Sequence, residues 1–149
     1  MKKIYLNIAL LLATVTVSFA QGLVAESYIE KTHISPKTGT AIGFEFSNKI
    51  ELGAFYQKHT PFNKSEDTPE MPRFYEKNFA GVYFSYPIKE SSRTEMKFKV
   101  RTGVSNGQNF AITPSLHSNF KLTNRVKIGA GLGIRAFRPT LQSSIRITL

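Results

Sequence analysis

From Val126 the chain alternates with a period of two: Val126, Ile128, Ala130, Leu132, Ile134 and Ala136 share one face, and Lys127, Gly129, Gly131, Gly133, Arg135 and Phe137 share the other. Successive side chains of a strand point to opposite faces, so this period predicts a strand with one apolar and one polar face. The same split separates Met96, Phe98, Val100 and Val104 from Glu95, Lys97, Lys99, Arg101 and Gly103. It separates Phe110, Ile112, Leu116, Phe120 and Leu122 from Thr113, Ser115, His117, Asn119 and Lys121. At the end of the chain Leu141, Ile145, Ile147 and Leu149 alternate with Thr140, Gln142, Ser144, Arg146 and Thr148. Beyond residue 22 no helical period competes with this pattern. It predicts eight strands, over 23–32, 40–48, 50–59, 78–88, 94–104, 110–122, 126–137 and 140–149, with no internal repeat or second domain.

An apolar face alone does not choose an architecture, because a soluble sandwich also buries one face of every strand. The polar face decides. Gly43, Gly53, Gly81, Gly103, Gly129, Gly131 and Gly133 fall on it, with the other three glycines read as turn or N-terminal residues. Glycine weakens a water-facing strand, whereas inside a narrow closed barrel it makes room for long side chains crossing the lumen. A strand of about 10 residues, tilted about 40°, spans roughly 25 Å, the height of the apolar band of an outer-membrane barrel. Asn48-Lys49 and Thr123-Asn124-Arg125 read as tight turns, and Thr60 to Lys77 as a long charged loop on the opposite side. Lys89 to Arg93 is longer than a tight turn, and Arg138-Pro139 is very short for an outer loop. Pro114, mid-strand, predicts a bulge or a break.

Strand number, alternation, loop order and a chain that ends within its last strand resemble the small eight-stranded outer-membrane barrels of the OmpX and OmpA-transmembrane-domain type. The resemblance implies an all-β, antiparallel up-and-down transmembrane barrel in the outer membrane, surrounded by its lipid. It also implies recognition of the C-terminal strand by the barrel-assembly machinery. Leu149 stands where such strands usually end in an aromatic residue.

The amino terminus fits export. Lys2-Lys3, the apolar run Ile8 to Val17 and the small residues Ser18 and Ala20 read as a signal peptide over 1–20, leaving a barrel domain over 21–149. The apolar run is shorter than the roughly 20 residues of a spanning helix. With no cysteine there is neither a disulfide scaffold nor a lipid attachment site after the cut. Losing the two leader lysines lowers the net charge of +10 to about +8. That surplus is spread through every segment rather than gathered into the stripe a nucleic acid needs, so no nucleic-acid partner is expected.

The polar face holds five acids, Glu26, Glu30, Glu45, Glu51 and Glu95, and seven bases, Lys97, Lys99, Arg101, Lys121, Lys127, Arg135 and Arg146. Closure sets the mainly N-terminal acids against the C-terminal bases, which predicts an ion-pair network filling the lumen. His117-Ser118 is the one arrangement that brings nucleophilic catalysis to mind. Lipid A deacylases of barrel form use His and Ser two residues apart on one face, whereas adjacent residues point to opposite faces, so no catalytic residue is expected. His33 and His59, at strand ends, lack the ligand spacing of a metal site, and Gly129 to Gly133 lacks the context of a phosphate loop, so neither metal nor cofactor is expected. Lys31, Lys37, Lys58, Lys64, Arg73 and Lys77 are expected at the outer rim, within reach of lipopolysaccharide phosphates. In the long loop Lys64, Arg73, Phe74 and Tyr75 are the candidate contacts to an unknown surface partner. Two other classes fit parts of the pattern: a soluble periplasmic barrel or sandwich binding an apolar ligand, and a barrel enzyme modifying lipid A.

Overall fold

The computed structural model describes residues 20–32, 36–59 and 78–149. Eight strands account for most of them: β1 (Ala20–Lys31), β2 (Pro36–Phe46), β3 (Glu51–His59), β4 (Asn78–Glu90), β5 (Thr94–Ser105), β6 (Asn109–Lys121), β7 (Val126–Arg135) and β8 (Arg138–Thr148). Each pairs antiparallel with the next, and β8 returns to β1, so the sheet closes into the barrel that the alternation predicts. Connections 47–50, 91–93 and 122–125 lie at the end that holds Ala20 and Leu149, the terminal end. The strand ends at Lys31, Pro36, His59, Asn78, Ser105, Asn109, Arg135 and Arg138 form the opposite, loop end.

The barrel is built with its polarity reversed. Glu30, Glu51, Lys97, Arg101 and His117 are buried inside, while Ile145, Ile134 and Leu132 stand exposed outside, Leu132 at 67%. Parity accounts for both, because a closed sheet sends alternate residues to the lumen and to the outer wall.

Several boundaries differ from the sequence pattern. β2 starts at Pro36, so Gly39 is a lumen residue rather than part of a turn. Lys37, expected at the rim, is buried inside for the same reason. β7 stops at Arg135, and the link to β8 is Ala136-Phe137, with φ of 48° and 62°, not Arg138-Pro139. Two positive φ values make the primed type of hairpin turn that matches strand twist. Phe137 therefore leaves the polar face and is wholly exposed at 102%. β4 runs on to Glu90, and a register shift between Pro87 and Lys89 takes up the extra residue.

The expected bulge or break at Pro114 does not occur. β6 runs through it, opposite Val100 of β5, in unbroken register. The ladder to β7 yields instead, ending at Ser115↔Gly133 although β7 continues to Arg135. Proline has no N–H to give a neighbouring strand, so the local cost is a shorter ladder on one side.

Residues 1–20, where a signal peptide is expected, lie outside the described residues apart from Ala20, which opens β1. Lys64, Arg73, Phe74, Tyr75 and Lys77 also lie outside them, as does His33.

Candidate functional site

The lumen is filled in layers. At the terminal end, Lys97 of β5 pairs with Glu51 of β3, with Glu95 at 2.6 Å and with Glu45 at 3.5 Å. Arg146 of β8 reaches Glu45 at 2.5 Å and also pairs with Glu51, and Lys127 of β7 holds Glu95 at 2.7 Å. Three buried carboxylates thus meet three buried cations, so the buried cluster is neutral where burial would penalise a net charge, and the half-exposed Lys49 adds a rim contact to Glu45 at 3.3 Å.

In the middle layer Lys99 donates to Glu26 at 2.5 Å, and Gln142 donates to the same carboxylate at 3.2 Å. Towards the loop end Glu30 receives both Arg101 and Arg135, the latter at 2.7 Å. One carboxylate does not balance two guanidiniums, and aromatic faces and neutral acceptors supply the remainder. Arg101 lies 5.2 Å from the Tyr28 ring and 5.8 Å from that of Phe55, and Arg135 lies 4.4 Å from the Phe79 ring. Arg135 also donates to Gln57 and to Thr113, each at 2.9 Å. A desolvated cation over a ring face gains up to about 2 kcal/mol.

All the expected lumen charges are buried except Lys121, which shares their face but sits at the terminal rim with its side chain 22% exposed and pairs with Glu90 at 2.5 Å. Its strand ends there, so water reaches the pair. The aromatic half of the lumen, Tyr28, Phe55, Phe79 and Tyr83, is absent from the sequence expectation. Parity marks it: Tyr28 lies between Glu26 and Glu30, Phe55 follows Gly53, and Phe79 and Tyr83 flank Gly81.

His117 points inward and Ser118 outward, as alternation requires. Sequence reasoning overlooked Ser115, two residues away on the same face, whose Oγ lies 2.9 Å from His117 Nε2. The same hydroxyl donates to the Lys99 carbonyl at 3.0 Å. A hydroxyl whose one proton goes to that carbonyl can meet His117 Nε2 only as an acceptor, which calls for the tautomer protonated at Nε2. That polarity is opposite to the one in which histidine activates a serine as its base. Both residues are buried, and the imidazole lies against Gly131, where an added Cβ would come within 2.6 Å of it. Among the described residues no three His, Asp or Glu side chains are grouped to hold a metal ion.

No protein family matches the sequence, and no curated protein matches it. Solved structures do resemble the fold. A de novo designed transmembrane β-barrel aligns at TM-score 0.68 and 12% identity, covering 87% of this chain and 97% of that one. The N-terminal β-barrel domain of Pseudomonas aeruginosa OprF aligns at 0.59 and 9%, covering 87% and 98%. Neisserial surface protein A aligns at 0.52 and 9%, covering 85% and 94%. The chain therefore has the architecture of small transmembrane barrels.

Proposed function

We propose that this chain is a small integral outer-membrane β-barrel, with its terminal end towards the periplasm and its loop end at the cell surface. In this reading it acts through its outer wall and outer loop in surface interaction or membrane integrity, and not by catalysis. The observation that carries the reading is the reversed polarity: paired charges buried inside, and a largely apolar wall outside that water would penalise. The filled lumen supports a barrel that does not conduct, since an interior of this strand number has room only for side chains. The proton committed from Ser115 to the Lys99 carbonyl supports a non-catalytic role for that dyad. An alternating C-terminal strand, Leu141 to Leu149, fits handling by the barrel-assembly machinery, and basic rim residues fit lipopolysaccharide.

Fractionation tests the location. The chain should stay with outer membranes after alkaline extraction and migrate faster on gels unheated than heated. Release by alkali into the soluble fraction would favour the soluble periplasmic class instead. Single-channel recording in planar bilayers should show no discrete conductance. Replacing 62–75 by a short Gly-Ser linker should leave the barrel folded and remove surface binding through Lys64, Arg73, Phe74 and Tyr75.

A further inference from the structure

The outer wall is not uniform. Over β8, β1, β2 and β3 it is indented by a groove of about 660 Å³. Its floor is made of small side chains, Ala25 and Ser27 of β1 and Thr40 of β2, with Ala54 of β3 beside them. Ile145 and Ile147 of β8 form one wall, and Ile42 and Tyr56 the other. Register explains the shape: one row runs Ile147, Ala25, Ile42, Ala54, and the next runs Ile145, Ser27, Thr40, Tyr56. Small residues on β1 thus lie between larger ones on β8 and on β2 and β3, giving a channel along β1.

Followed towards the loop end, the outward positions of β1 pass from Ala25 and Ser27 through Ile29 to Lys31, and those of β3 pass from Ala54 through Tyr56 to Lys58. Both lysines are exposed. Lys31 is four residues beyond Ser27, which along a tilted strand is about 10 Å. The groove itself is lined mainly by apolar and small side chains, and the wall beyond it, past Ile29 and towards the loop end, carries the two lysines. β1 and β3 are separated by one strand, so the two lysine stems leave the wall about 10 Å apart across the sheet. On a convex wall they diverge, which suits two separated anionic groups better than one.

We infer that the β1 groove with Lys31 and Lys58 binds the diphosphorylated, multiply acylated glycolipid of the outer leaflet, lipid A, seating one acyl chain over Ala25 and Ser27 and its two phosphates on the two lysines. The inference rests on the reading that the barrel spans the outer membrane with its loop end outward. It adds a location and a stoichiometry of one lipid per barrel.

The test is native mass spectrometry of the full barrel in detergent, with hexa-acyl lipid A, its monophosphoryl form and phosphatidylglycerol as probes. One lipid A should be retained, and phosphatidylglycerol about tenfold less well. The double variant Lys31→Gln/Lys58→Gln should lose about tenfold or more in lipid A retention and cease to distinguish the two lipid A forms. Ala25→Leu, which fills the floor, should weaken all three lipids, and the milder Ala25→Val serves if Leu impairs folding. Lys121→Gln at the opposite rim should change nothing. Equal retention by parent and both groove variants, or equal retention of phosphatidylglycerol and lipid A by the parent, overturns the site. Heat-modifiable migration of the same samples reports whether the barrel itself is intact, so failure of the groove and failure of the membrane-barrel reading give different results.

Discussion

The ring of Tyr28 occupies the space that a side chain at Gly39, its cross-strand partner, would need. The close approach lets Tyr28 lie inside the wall and present its face to Arg101. Gly39→Ala should therefore destabilise the barrel by about 1 to 3 kcal/mol through overpacking. In a Tyr28→Ala background the same change should cost much less. Urea titration of the four proteins in lipid vesicles measures the coupling, and equal costs in both backgrounds would show that the ring and the glycine are independent.

The neutral cluster at the terminal end predicts a sharp contrast between buried and rim pairs. Glu51→Gln leaves Lys97 and Arg146 with one carboxylate too few and should cost about 3 to 5 kcal/mol. Glu90→Gln removes an exposed partner of Lys121 and should cost no more than about 1 kcal/mol, less at high salt. A double-mutant cycle between Glu51 and Arg146 should return a coupling energy. None at all would count against a packed ionic lumen.

On the outer wall, Leu132→Arg places a charge among exposed apolar side chains of β7 and should cost about 2 to 4 kcal/mol near the bilayer midplane. The cost should shrink towards zero in detergent micelles, where the side chain finds water. Gly131→Arg, one residue away, faces His117 and should be as damaging in detergent as in lipid. The comparison of the two solvents reads out which face each residue occupies.

The Ala136-Phe137 turn holds two residues with side chains at positive φ, where an L-residue costs roughly 1 to 2 kcal/mol. Phe137 has no packing to lose. Phe137→Gly should raise stability by about 1 kcal/mol, seen as a shift of the unfolding midpoint to higher urea. A fall would mean that Phe137 makes contacts in lipid that outweigh its backbone strain.

Much of the fold was legible because parity is a strict signal. Residues 126–134 alternate without exception, and so the inward set on β7 could be read directly. Parity alone puts Phe137 on the lumen face, whereas it lies in the turn, because the sign of φ rather than residue type marks that turn. Gly39 was lost for the opposite reason, since glycine reads as punctuation unless a ring is known to lie over it. The dyad of Ser115 and His117 follows from parity alone, since the two residues share the lumen face of β6. Which acid meets which base was not legible, because Glu26 meets Lys99 and Glu45 meets Arg146 only once closure and stagger are set.

Those pairings constrain how the barrel comes into being. Glu26 waits 73 positions for Lys99 and Glu45 waits 101 for Arg146. Without the second half of the chain, the lumen face of β1 to β3 carries four acids, Glu26, Glu30, Glu45 and Glu51, against the one buried base Lys37, and β5 to β8 carry mainly cations. Neither half alone can enter hydrocarbon cheaply, and each carries the opposite charge to the other. In the membrane reading proposed above, insertion and closure should be coupled, because the two halves attract each other and only their pairing neutralises the lumen face. Charge pairing would then act as a gate on insertion, opened only when acids of the first strands meet bases of the last.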